Sequence, residues 1–150
     1  MVELREVTQD NFYDCIELER KSNRYVGNAE SVLAEAYIFR DCSTAYAIYH
    51  GDKVVGLVII MDKPEEGSFY SFTDLFIADG FQGQHYGGYA VDAIIRKLEA
   101  EGKRDVIEIQ VHNSNTIAKE LYLKRGFVEV GNAKWDESFL VMQRRLENFS

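Results

Sequence analysis

Apolar residues fall in short blocks along the whole chain, and their spacing switches between a period of two and a period near 3.6. Residues 2–7 read as a first strand. Thr8 or Asp10 can cap a helix in which Phe12, Cys15, Ile16 and Leu18 follow helical spacing. A second helix is expected over residues 29–39. The stretch 22–28 between them is polar and turn-forming, with Tyr25 as its single aromatic. Residues 45–49 and 53–61 are rich in β-branched, aromatic and aliphatic side chains, and His50-Gly51-Asp52 joins them as a hairpin. After a loop over 62–67, residues 68–77 form the next expected strand.

The pattern changes abruptly after Ile77. A small-residue loop leads into Val91, Ile94, Ile95 and Leu98, which share one helix face, and Gly102 ends that helix. Residues 106–111 then alternate as a strand with Ile107, Ile109 and Val111 on one face. Asn113-Ser114-Asn115 offers caps for a helix carrying Ala118, Leu121, Tyr122 and Arg125, which Gly126 stops. Residues 127–130 and 139–142 complete the strands. The strand-helix-strand-helix-strand middle predicts an α/β domain with at least one parallel strand pair. Pro64 is the only proline, and no repeat, low-complexity run or linker divides the chain, so one domain over 1–150 is expected.

Composition narrows the function classes. With 150 residues and 46% hydrophobic content, the chain can bury one core. It has no run of roughly 18 apolar residues and no basic-then-apolar start, so a protein that is neither membrane-spanning nor exported is expected. Cys15 and Cys42 lack metal-ligand spacing and read as free, buried thiols, which suits a reducing cytoplasm. A formal charge of −8 without clustered Lys and Arg argues against a nucleic-acid partner and suits a cationic substrate.

Gly83, Gly87 and Gly88 make the segment after Ile77 the most glycine-dense of the chain, and it opens directly onto a helix. The first turn of a helix has unpaired N–H groups and partial positive charge, so a loop of small residues running into it can cradle a pyrophosphate. No Lys-Ser or Lys-Thr pair follows the glycines, and the spacing is not GxGxxG, so neither a triphosphatase loop nor a dinucleotide turn is indicated.

Gln82-Gly83-Gln84-His85-Tyr86-Gly87 resembles the coenzyme A signature of the GCN5-related N-acetyltransferases, with His85 where the family usually has its first glycine. A second block, residues 115–127, is similar to the family's Asn, Ala, Leu-Tyr, Gly-Phe pattern at matching spacing. The resemblance implies a mixed, mostly antiparallel twisted sheet of about six to seven strands flanked by about four helices, with a splayed parallel pair at the cofactor cleft. It implies acetyl-coenzyme A as co-substrate, held by Gln82, Gly83, Gln84, His85, Tyr86, Gly87, Gly88 and Tyr89, with Phe76, Ile77 and Asn115 contacting its arm. It also implies direct transfer to a small-molecule amine, with Tyr122 as general acid. Asp74 is the best-placed carboxylate for the base, with Glu108 a second choice, and strand alternation alone does not say which way Asp74 faces.

Core packing remains a competing role for Tyr122, as helix capping does for Asn115. Residues 23–37 and the Leu-Phe-Ile and Phe-Gln-Gly fragments look most like bacterial diamine and polyamine acetyltransferases, and Gln110 stands where ribosomal-protein acetyltransferases tend to have Glu. Another amine acceptor, a non-catalytic acetyl-coenzyme A-binding module and a purely structural domain remain open. Association in pairs is common for the family.

Overall fold

The computed structural model describes residues 1–22, 24–63 and 67–147, so part of the loop expected over 62–67 lies outside the described residues. Seven strands form one sheet in the order β1-β2-β3-β4-β5-β7-β6. They are β1 (Glu3–Glu6), β2 (Ser43–His50), β3 (Lys53–Lys63), β4 (Phe69–Ile77), β5 (Val106–His112), β6 (Val128–Asn132) and β7 (Phe139–Arg145). The helices are α1 (Phe12–Ile16), α2 (Ala29–Ile38), α3 (Tyr86–Glu101) and α4 (Thr116–Leu123). Every neighbouring strand pair is antiparallel except β4 with β5.

Alternation along the strands builds two apolar layers. Ile48, Val58 and Ile60 pack with Ala90, Val91, Ile94 and Leu98 of α3 on one face. Ala47, Leu57 and Ile59 pack with Cys15, Val32 and Ala36 of α1 and α2 on the other. Each fully buried side chain of the α3 stripe contributes roughly 1.5–3 kcal/mol, and truncating Leu98 to alanine would cost about 2–5 kcal/mol. Gly102, at φ 65°, closes α3 with its N–H donating to the Leu98 carbonyl. Among the described residues, no helix is long and apolar enough to cross a membrane.

The first helix is shorter than its apolar spacing predicts. Its N-cap is Asn11 rather than Thr8 or Asp10. The Asn11 side chain bonds the Thr8 N–H at 2.9 Å and the Glu6 carbonyl at 3.3 Å, tying the chain back to β1 instead of capping α1. Leu18 falls beyond the last turn.

Two features of β4 create the cleft. In the β3–β4 register Ile59 faces Thr73 and Leu57 faces Phe76, so Asp74 and Leu75 stand together opposite Val58. This is a β-bulge, and Asp74 takes the left-handed conformation (φ 57°) that Asp tolerates better than most residues. Beyond the bulge β4 lies tightly against β3. A Cβ at Gly56 would overlap the Phe76 carbonyl oxygen, and only glycine permits that approach. On its other side, β4 is registered with β5 at Tyr70 and Ile107. Held to β3, β4 diverges from β5 toward Ile77 and His112.

Candidate active site

A cavity of about 310 Å³ fills the divergence. Phe72, Thr73, Asp74 and Leu75 of β4 form one wall, Gln110, Val111 and His112 of β5 the other, and Asn115, Ala118 and Tyr122 of α4 the floor. The Phe76 carbonyl is directed at β3, and the Ala78 N–H donates to the Val55 carbonyl at 2.9 Å. Alternation therefore turns the main-chain groups of Leu75 and Ile77, not those of Phe76, toward the cleft. Phe76 was expected to offer main-chain contacts to a cofactor arm, and the structure directs its carbonyl at β3 instead. The Ile77 carbonyl accepts from Gln82 Nε2 at 2.9 Å, which fastens the turn to the end of β4.

The turn leads from a 3-10 segment, Asp79–Phe81, through Gly83 (φ 81°) and His85 (φ 64°) into α3. His85 is the helix N-cap, and its side chain makes no capping hydrogen bond. The first intrahelical bond runs from the Tyr89 N–H to the His85 carbonyl at 3.0 Å. That bond uses the Tyr89 amide, while those of Tyr86, Gly87 and Gly88 belong to the unpaired first turn. The Tyr86 ring is turned inward, with its hydroxyl bonded to His50 Nδ1 at 3.0 Å and to Gln84 Oε1 at 3.1 Å. Tyr86 can therefore serve an anion only through its main chain. The His85 side chain is exposed.

On α4, Asn115 Oδ1 caps the helix by accepting from the Ala118 N–H at 3.3 Å, while the residue also lines the cleft. The capping role and the cleft position coexist. Tyr122 is buried, with Phe72 and Phe127 centroids 5.6 and 5.7 Å away. It too lines the cavity, and burial raises its phenol well above the ordinary tyrosine range. The group is held protonated, as a proton donor requires.

Asp74 resolves the question that alternation left open. The bulge places Asp74 in the wall of the cleft, with Oδ2 buried and without a hydrogen-bond partner among the described residues. Its pKa is pushed up to about 7, first by burial, then by a hydrogen bond and charge repulsion from Glu35, against the lowering effect of Arg20. A carboxyl in this state can exchange a proton near neutrality.

A second cavity of about 440 Å³ opens beside α2, lined by Glu35, Met61, Phe69, Glu108 and Trp135 among others. Phe72, Thr73 and Gln110 line both cavities, so the two meet where β4 and β5 part. Glu108 Oε1 accepts from Gln143 Nε2 at 2.7 Å, and Trp135 Nε1 donates to Gln110 Oε1 at 2.8 Å. A wider hollow of about 1000 Å³, between residues 6–10 and helices α1 and α2, has neither the uncapped helix start nor Asp74 in its lining. Volume alone does not mark the reacting centre.

Sequence reasoning missed four residues here: Glu35, Trp135, His112 and Tyr25 in its bonded role. Tyr25 reaches across the cleft mouth to Ser114 Oγ at 2.8 Å, and Ser114 Oγ lies 2.7 Å from His112 Nδ1. The Ser114 N–H also donates to Nδ1, which assigns the His112 proton to Nε2. The Ser114–His112 contact is local, but no local spacing announces the Tyr25–Ser114 contact, because it joins segments far apart in the chain.

Solved structures share this fold at low sequence identity. The ribosomal-protein-S18-alanine N-acetyltransferase from Escherichia coli superposes with a TM-score of 0.73 at 14% identity, over 100% of this chain and 99% of that one. The spermidine N-acetyltransferase from Vibrio cholerae, solved with CoA and spermine, gives 0.76 at 16% identity, over 99% and 97%. The PaiA N-acetyltransferase from Thermoplasma acidophilum, solved with coenzyme A, gives 0.71 at 16% identity, over 97% and 99%. Among curated proteins none matches the sequence. The family model described as Acetyltransferase (GNAT) family matches residues 4–127, which include both the turn and α4, and the chain belongs to that family.

Proposed function

We propose that the protein transfers the acetyl group of acetyl-coenzyme A to a primary amine by direct attack in a ternary complex, and that the acceptor is a diamine or polyamine. The observation that carries this reading is the cleft between β4 and β5 leading to an uncapped start of α3. The pyrophosphate would lie on the amides of residues 83–88 and the pantetheine arm along Leu75 and Ile77, with Asn115 beside it. Gly83 and Gly87 leave open space there, since a Cβ at either would meet nothing closer than 3.8 Å.

Transfer needs a neutral amine, and an alkylammonium has its pKa near 10. Asp74 would take the proton, and the Tyr122 phenol would supply one to the departing sulfur. Neither step needs a covalent enzyme intermediate. A cationic acceptor is favoured by the formal charge of −8 and by Glu35 and Glu108 in the adjoining cavity. The likeness of residues 23–37 to polyamine acetyltransferases points the same way, with Asn23 outside the described residues. The free thiols Cys15 and Cys42 suit a cytoplasmic enzyme.

A mass-spectrometric screen of amines incubated with acetyl-coenzyme A and the protein tests both parts. Putrescine, spermidine and spermine should each gain an acetyl group. If another amine, such as an aminoglycoside, an amino acid or a protein lysine, reacts rapidly and these do not, the acceptor is wrong and the reaction stands. No product from any amine, despite coenzyme A binding by calorimetry, would leave the non-catalytic binding module as the better account.

A further inference from the structure

The cavity beside α2 continues the cofactor cleft, and strand alternation builds its floor. Side chains two residues apart share a face, so residues 61 and 63 of β3, 69, 71 and 73 of β4, and 108 and 110 of β5 all line it. Thr73 and Gln110, which line both cavities, make the row nearest the cleft. Met61 is registered with Ser71, and the pairing of Tyr70 with Ile107 sets Glu108 beside Ser71, so these three make the next row. Lys63, registered with Phe69, belongs to the outermost. We infer that this cavity is a second acceptor subsite, in which Glu108 receives the distal ammonium of a diamine and the Trp135 indole covers the methylene chain. The inference rests on the reading of the cleft as the place where an amine is acetylated.

Length comes from the strand geometry. Successive rows, two residues apart, are separated by about 7 Å. Each bond of a zigzag carbon chain is about 1.5 Å long and advances it by about 1.25 Å, so about four or five methylenes carry a second nitrogen from the junction of the cavities to Glu108. Glu108 Oε1 accepts from Gln143 Nε2 at 2.7 Å, which fixes the carboxylate and leaves it further lone pairs for an ammonium. Trp135 Nε1 donates to Gln110 Oε1 at 2.8 Å, and its ring lies against Phe139 with centroids 4.7 Å apart. These contacts hold the indole at the Gln110 row, between the junction and Glu108, while the residue stays 66% exposed. An open indole face covers methylenes and attracts a nearby ammonium.

Charge sets the number of distal cations. Among the described residues lining the cavity, Glu35 and Glu108 face one cation, Lys63, which leaves one negative charge in excess. One distal ammonium balances it. Arg24 belongs to the cleft instead, with its guanidinium 5.0 Å from the Tyr25 ring centroid. A third ammonium would fall toward Phe69 and Lys63 in the outermost row, so a longer polyamine gains no affinity there over a diamine.

Calorimetry of putrescine and butylamine on the full chain loaded with coenzyme A tests the subsite without requiring turnover. The two amines share a four-carbon chain and differ in the second ammonium. Wild type should bind putrescine about 10–100-fold more tightly, the worth of one charged hydrogen bond. Glu108→Gln keeps an oxygen for Gln143 and should bind the two alike, whereas Trp135→Ala should weaken both. In steady-state acetylation, Glu108→Gln should raise the putrescine KM about 10-fold or more with kcat held within about twofold. Butylamine binding as tightly as putrescine to wild type, an unchanged putrescine affinity in Glu108→Gln, a loss of kcat at constant KM, or no putrescine binding at millimolar concentration overturns the inference. If the preference depends on Glu108 but no amine is acetylated, the subsite stands and acetyl transfer falls. If amines are acetylated with no gain from a second ammonium, transfer stands and the subsite falls.

Discussion

Arg125 occupies the space that a side chain at Gly88 would need. A Cβ there would overlap Arg125 Nη2 and lie 2.6 Å from Cζ, while Arg125 Nε donates to the Gly88 carbonyl at 2.9 Å and pairs with Asp92 at 3.2 Å. The contact locks the end of α4 to the first turn of α3, so the floor of the cleft and the amides at the start of α3 move together. Gly88 is thus glycine for the sake of the arginine; its N–H is the only part of it that an anion could use.

Gly88→Ala should therefore destabilise the protein although alanine is the better helix former. Displacing Arg125 forfeits a charged hydrogen bond of about 1.5–3 kcal/mol, against a helical gain of about 1 kcal/mol. The expected net loss is about 1–2 kcal/mol by denaturant unfolding. In an Arg125→Ala background the obstacle is gone, and the same substitution should stabilise by about 1 kcal/mol. A loss of equal size in both backgrounds would show that Arg125 is not the cause.

Tyr122→Phe keeps the ring between Phe72 and Phe127 and removes only the hydroxyl. If the phenol protonates the leaving sulfur, kcat should fall about 100-fold, with the coenzyme A dissociation constant changed less than about twofold. Burial raises the phenol's pKa, so its ionisation should put no basic limb on the kcat profile below about pH 10. Steady-state rates and calorimetry decide it. An unchanged kcat would reduce Tyr122 to a core aromatic.

How much of this could be read from the chain follows from the range of the interactions. Helix α3, the β2–β3 hairpin and the capped start of α4 are specified locally, by apolar spacing, Gly51 in its turn and Asn115, and they appear where the sequence places them. The bulge at Asp74 was not legible. It inserts a residue against Val58, breaks the period of two, and thereby moves Phe76 out of the cleft and decides where Asp74 lies. Nothing in Thr73-Asp74-Leu75 announces it, because the register is set by pairing with β3, on another segment of the chain. Glu35 was missed for a similar reason: as an exposed helical glutamate it looks like a solvated residue until Asp74 is placed beneath it.

Asp74→Asn separates the cost of the buried acid from its use. In the folded protein the Asp74 pKa lies near 7, above its ordinary value of 3.8, so the folded state keeps a proton that the unfolded chain gives up. The wild-type residue contributes fully below about pH 4, and that contribution is lost as pH rises through about 7. Asparagine tolerates the left-handed backbone and can donate to Glu35, and it has no charge to bury. The variant's Tm should match wild type near pH 4 and exceed it above pH 7. After allowance for partial solvent screening, a gain of about 3 °C is expected, the shift that about 1 kcal/mol gives a domain of this size. If Asp74 is the proton acceptor, kcat should fall about 100-fold or more at neutral pH. Stability rising as activity disappears is the pattern of a group kept for chemistry at a structural cost. A Tm difference independent of pH would mean that Asp74 is an ordinary ionised carboxylate, and its assignment as the base would go with it.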